Sequence, residues 1–141
     1  MEPTASIAII KIKELEYSMA SAENFGNDTL TNAGFGVGTA FDKEKEEFEL
    51  QIAFDIKSVD NEKTFVHIKV ANRFKIEKMA SFMPNDNEIN LPDNALITML
   101  SLSISHTRAL LARNTSGTPY ENFFIPIVNP AEMAKQIFKK P

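Results

Sequence analysis

Glu47-Phe48-Glu49-Leu50-Gln51-Ile52-Ala53-Phe54-Asp55-Ile56-Lys57 alternates two kinds of residue without a break. On a helix, Phe48, Leu50, Ile52, Phe54 and Ile56 would point in scattered directions. On a strand they share one face, and Glu47, Glu49, Gln51, Asp55 and Lys57 share the other. Residues 63–78 repeat the pattern. Val66, Ile68, Val70, Phe74 and Ile76 fall on one side, and His67, Lys69, Arg73, Lys75 and Glu77 on the other. The polar connection Ser58-Val59-Asp60-Asn61-Glu62 has hairpin length, so the two runs form an antiparallel pair.

Outward from this pair, residues 34–42 read as a third strand, with Phe35, Val37 and Phe41 on one face. The charged tip Asp42-Lys43-Glu44-Lys45-Glu46 joins it to the strand that follows. Residues 7–17 read as a fourth strand. Its apolar phase shifts between Ile12 and Leu15, which predicts either a bulge or a change of exposed face. The stretch 18–33 is rich in Ser, Asn, Gly and Thr and too long for a tight turn, so it is expected to cross over an end of the sheet.

A sheet with one apolar face must cover it, and helices are the usual cover. Leu91-Pro92-Asp93 is a helix start, with Pro near the first turn and an acid at the positive end of the helix dipole. The helix is expected to run to about Arg113, ended by Asn114-Thr115-Ser116-Gly117-Thr118-Pro119. A loop with Tyr120, Phe123, Phe124, Ile125 and Ile127 follows. Asn129-Pro130, an N-cap followed by Pro, opens a short last helix to about Lys139. The expected fold is therefore α+β. A four-stranded antiparallel sheet carries one long and one short C-terminal helix on one face, in a single domain over residues 1–141.

The long helix is unusual. Residues 94–107 contain no Asp, Glu, Lys or Arg. Leu96, Ile97, Met99, Leu100, Leu102 and Ile104 project in nearly every direction, whereas a helix covering one sheet face should keep charges outside. The expectation is a subunit interface built on Ile97, Leu100, Ser101, Ile104 and Ser105.

Composition excludes several functions. The 141 residues include no cysteine, which removes disulfides, thiolate metal sites and a Cys nucleophile. The net charge of -4 gives no pull toward nucleic acid or an anionic membrane. No leader is expected at the start, and no segment reads as the roughly 20 apolar residues of a membrane span. The expected location is cytoplasmic.

The chemical motifs are weak. Gly34-x-Gly36-x-Gly38 is not a phosphate loop, because it lies inside a strand rather than at a strand-to-helix turn. The two histidines, His67 and His106, have no spaced partners forming a metal signature. The acids Glu44, Glu46, Glu47 and Glu49 sit at a solvated hairpin tip, where nothing tunes a catalytic carboxylate. No catalytic residue, metal or cofactor is expected, and the chain reads as a binding protein rather than an enzyme. Apolar residues outside regular elements are more suggestive: Phe25, Leu30, Phe82, Met83, Tyr120, Phe123 and Phe124. Such groups on loops either mark an interaction surface or fold back over the core.

The order of elements resembles SecB, the export chaperone, and its SecB-like relatives. Three pieces carry the resemblance: Leu91-Pro92 before a helix that ends Ile104-Ser105-His106-Thr107-Arg108-Ala109-Leu110-Leu111, then Ser116-Gly117-Thr118-Pro119, then Pro126-Ile127-Val128-Asn129-Pro130. It spans nearly the whole chain. The resemblance implies a dimer of dimers with the long helices at its centre. It implies ATP-independent holding of unfolded polypeptides or preproteins for export, with Phe25, Leu30, Phe82, Met83, Phe123 and Phe124 as client contacts. It also implies docking of the SecA motor through acids on the outer sheet surface, for which Glu14 is the candidate. This chain departs from the pattern there. Ser18 and Ile68 stand near two expected acids, the crossover loop lacks tryptophan, and Lys139-Lys140-Pro141 stands in place of an acidic tail. Those departures argue against SecA and raise the alternative of a SecB-like chaperone dedicated to one partner such as an antitoxin.

Overall fold

A computed structural model describes residues 4–23, 25–26, 29–60 and 62–138. The elements run β1 (Ile7–Met19), β2 (Thr31–Asp42), β3 (Glu47–Ser58), β4 (Thr64–Ile76), a 3-10 turn (Met79–Phe82), α1 (Asp93–Thr115) and α2 (Pro130–Ile137). The strands form one antiparallel sheet in the order β1-β4-β3-β2. The crossover passes the ends of the inner strands, where Ala20 donates to the Phe65 carbonyl at 2.8 Å and Val59 to the Leu30 carbonyl at 3.0 Å.

The alternation seen in the sequence decides the layering. Phe48, Leu50, Ile52, Phe54 and Ile56 of β3 and Val66, Ile68, Val70, Phe74 and Ile76 of β4 are all buried. Each such side chain contributes roughly 1.5–3 kcal/mol of apolar burial. Phe65 is the extra residue where the β3–β4 register shifts, and it is buried beside Val66. The bulge turns two successive side chains inward.

α1 packs across β4 and β3 with a smaller contact on β1, and α2 packs on α1. The inner stripe of α1 is Ala95, Leu96, Met99, Leu100, Ser103, Ile104, Thr107, Leu111 and Thr115. This corrects the expectation of a helix apolar on every side. Ser103, Thr107 and Thr115 share the inner stripe; the two threonine hydroxyls turn back onto the helix, whereas the Ser103 hydroxyl has no partner among the described residues. Thr107 donates to the Ser103 carbonyl at 2.8 Å, and Thr115 to the Leu111 carbonyl at 2.9 Å. Leu100 and Ile104 are 0% and 2% exposed, so both face the sheet and neither can meet a second subunit. The outer stripe keeps Ile97, Ser101 and Ser105. By length and composition α1 is also apolar enough to cross a membrane, contrary to the sequence expectation. In this fold its apolar stripe lies on the sheet.

The helix ends follow the sequence closely. Asn129 accepts from the N–H groups of Ala131 and Glu132, with Pro130 in the first turn. That is the N-cap geometry its side chain favours. α2 ends at Ile137, and Lys139 lies outside the described residues.

Candidate functional site

The loop residues singled out in the sequence fall into two groups at opposite ends of the sheet. At the Thr64 end of β4, Phe25 from the crossover meets Phe65, Tyr120 and Phe123, with ring centroids 5.1, 4.8 and 5.5 Å away. Such spacings suit edge-on and tilted aromatic packing. Tyr120 is fully buried and its hydroxyl donates to the Ala20 carbonyl at 2.9 Å. Burial, with a smaller contribution from Tyr17, holds its pKa above the usual value. Arg108 on α1 pins the following loop by donating to the carbonyls of Ile125 at 3.1 Å and Pro126 at 3.0 Å. Phe25 and Phe123 are therefore half-buried members of a packed cluster. Leu30, Phe124 and Ile127 stand out of it, 66%, 57% and 97% exposed.

At the Ile76 end, Phe82 and Met83 are half-buried beside an open hollow of about 670 Å3 that Thr4, Ser81, Pro84 and Asn90 complete. This segment is held in place. Asn90 donates to the Phe82 carbonyl at 2.7 Å, Met79 to a Glu46 carboxylate oxygen at 3.1 Å, and Lys43 pairs with Asp86 at 2.8 Å. Glu46, read in the sequence as a solvated tip residue, thus fixes the turn. The two groups do not meet. β4 has 13 residues between them, roughly 40 Å at about 3.3 Å per residue.

A lane connects the ends. On the helix side of β2, Ala33, Phe35, Val37, Thr39 and Phe41 pair with Ile56, Phe54, Ile52, Leu50 and Phe48. β2 is one of the two edge strands, and its twelve pairs with β3 run without a register shift. Phe35 is 36% exposed, and Val37 and Phe41 are half-buried. The lane thus joins half-covered apolar side chains to an unpaired backbone edge. Periodicity had found Phe35, Val37 and Phe41, but not that the helix leaves them half-covered.

The opposite edge differs. β1 carries two irregularities against β4, one between Ile9 and Lys11 and one between Glu14 and Glu16. The second is a bulge, one of the two readings of the phase shift. Ile9, Ile10, Ile12, Leu15 and Met19 are all exposed. The bulge at Leu15 also reverses the expectation for Glu14. Glu14 pairs with Val70, on the helix side, and its carboxylate accepts from the Asn114 side chain of α1. It is not on the outer sheet surface, so it is not the acid a SecA-type partner would meet there. Glu16 takes that face.

The outer face is a ladder of charges. Arg73 pairs with Glu49 at 3.3 Å and Glu47 at 4.0 Å. The ring nitrogens of His67 face Asp55 and, at 3.4 Å, Glu16. Burial alone would lower the His67 pKa, but the two carboxylates outweigh it and the net shift is upward. His106 faces the buried Asn72, 2.7 Å from its side-chain oxygen, and burial lowers its pKa. Among the described residues no three His, Asp or Glu side chains are grouped to hold a metal ion.

By sequence the chain matches no known family profile, and it matches no curated protein. By structure it is similar to the Mycobacterium tuberculosis SecB-like chaperone solved with a ChAD peptide from the HigA1 antitoxin. That likeness has a TM-score of 0.61 at 14% identity and covers 86% of this chain and 89% of the other. A second similar structure, a Streptococcus agalactiae protein of unknown function, reaches a TM-score of 0.31 at 10% identity, covering 89% of this chain and 99% of that one. With its four-stranded antiparallel sheet and one long and one short C-terminal helix, the chain has a SecB-like fold.

Proposed function

We propose that the protein is an ATP-independent chaperone that holds an extended, apolar segment of another polypeptide along β2. The observation that carries this reading is the lane from Leu30 through Phe35 and Val37 to Phe41, with exposed apolar groups at both ends. An extended chain satisfies its own backbone by pairing with an open strand edge, and it buries alternate side chains on one face of that strand. Phe25, Leu30, Phe123 and Phe124 receive the client at one end, and Phe82 and Met83 at the other.

A dedicated client fits better than a general export role. Glu14 is turned to the helix side, away from the surface where a motor of the SecA kind would dock. The similar fold from Mycobacterium tuberculosis was solved with a peptide from an antitoxin. We further propose a homo-oligomer, a dimer of dimers, assembled through the outer stripe Ile97, Ser101 and Ser105 and the apolar edge of β1. Scattered exposed apolar residues are ordinary, but five along one edge strand mark a covered surface.

The test is aggregation of an unfolded client with and without the purified protein, followed by pull-down from the native cell. Suppression at stoichiometric ratio with one dominant captured protein supports the dedicated reading. Suppression with many captured proteins returns the general one. No suppression and no captured protein ends both.

A further inference from the structure

Among the described residues no helix lies on the outer face of the sheet, and the charge there is unevenly placed. Lys11 and Lys13 stand two residues apart on β1, opposite Arg73 and Ala71 of β4. Both lysines are exposed. Among the described residues no carboxylate pairs with either of them. Together with Leu15, Glu49, Ala71 and Arg73 they line a cleft of about 100 Å3. Three cations thus face one carboxylate, in a chain whose net charge is -4. Beside the cleft the surface is low, because Gly36, Gly38 and Ala53 share this face with Ala71.

We propose that this face docks an extended acidic segment of a partner protein, with carboxylates at alternate positions seated on Lys11 and Lys13. The spacing is the first argument. Residues two apart on one strand face are separated by about 6.6 Å, and alternate side chains of an extended peptide have the same repeat. The cleft is the second. Its volume admits a side-chain carboxylate but not a folded ligand. Charge complementarity is the third, since lysines without an ion-pair partner are free to accept one. An anionic membrane fits less well. Glu16, Glu47, Glu49 and Asp55 alternate with Lys69, Arg73 and Lys75 on the same face, so a flat anionic surface would meet both signs, whereas a single strand laid along the lysine row avoids most of the carboxylates. The resemblance had suggested an acidic docking face here; with Glu14 turned inward and lysines outward, the partner's sign is reversed.

The test uses the full chain and a fluorescent peptide with glutamate at alternate positions, followed by anisotropy. Vesicles rich in anionic lipid form the second arm. Wild type should bind the peptide, and Lys11→Glu/Lys13→Glu should weaken binding by about tenfold or more, as should raised salt. Both positions are exposed, so the variant should melt at the wild-type temperature. It should also suppress client aggregation as well as wild type, which separates this proposal from the client lane on the other face. No binding of the peptide by wild type, equal binding by the variant, or binding of vesicles in place of the peptide would each overturn the proposal.

Discussion

The two edge strands differ in side chains and in backbone: large apolar residues recur through β1, whereas β2 carries Phe35, Val37 and Phe41 among glycines and small residues. β1 shows two register shifts in its pairing with β4, and β2 shows none in its pairing with β3. A bulge twists an edge and spoils it as a template for a further strand. β1 therefore offers side chains, Ile9, Ile10, Ile12, Leu15 and Met19, but a poor ladder. β2 offers an unbroken ladder with a half-covered apolar row behind it. The more apolar but broken edge suits packing against another copy, and the unbroken one suits strand addition.

The largest effect comes from breaking the platform the two edges share. Phe54, 2% exposed on β3, pairs with Phe35 of β2 and Ile68 of β4. Phe54→Ala should cost about 3–5 kcal/mol, read by denaturant unfolding, and should weaken both proposed functions together. Next, charges placed on one edge at a time should separate those functions. Phe35→Asp/Val37→Asp should weaken client holding by more than about tenfold, or roughly 1.4 kcal/mol, while sedimentation stays unchanged. Ile10→Asp/Ile12→Asp should shift the sedimenting species toward monomer by a similar factor while each chain still binds an extended apolar peptide. If both variants lose the same property, the distinction between the edges fails.

The smallest effect concerns the clasp between β1 and its neighbours. His67 bridges Asp55 of β3 and Glu16 of β1 from β4, and its folded pKa lies above the unfolded value of 6.5. Its contribution is fully present below pH 6.5 and is lost as pH rises through the folded value. His106 has the opposite sign. Burial lowers its pKa, so stability is lost as pH falls below 6.5. Melting curves of His67→Asn should thus differ from wild type most in mildly acid buffer and converge at alkaline pH. The gap should be small beside the Phe54 effect.

The sequence carried much of this and failed at identifiable points. Alternation placed the four strands because their inner faces are uninterrupted in β3 and nearly so in β4. Asn129-Pro130 marked α2 through its cap. The bulge at Leu15 left a phase shift that could be read, but the one at Ile10 did not, because Ile9 and Ile10 are both apolar. Those extra residues decide that Glu14 faces α1 and Glu16 faces out, which no period-2 count foretells. Leu100 and Ile104 were assigned to a subunit interface because residues 94–107 lack charge, and a lack of charge does not tell the sheet side of α1 from its outer side. Thr107 and Thr115 bond to the helix's own carbonyls and stay inside. Phe65, which completes the aromatic cluster around Phe25, was hidden, and Tyr120, singled out as a loop residue of an interaction surface, lies inside instead. A register shift and a long-range bond to Ala20 bury them. Of the loop residues proposed for the client, Leu30 and Phe124 are the most exposed, while Phe25 and Phe123 support them from within the cluster.

Backbone amide exchange on the full chain, with and without an unfolded client, tests the central claim most directly. A client strand laid on β2 must protect amides in Thr31–Asp42 and leave those of Ile7–Met19 at their client-free rates. Protection confined to β1 or to the outer-face lysines, or none on β2 at saturating client, would contradict the account.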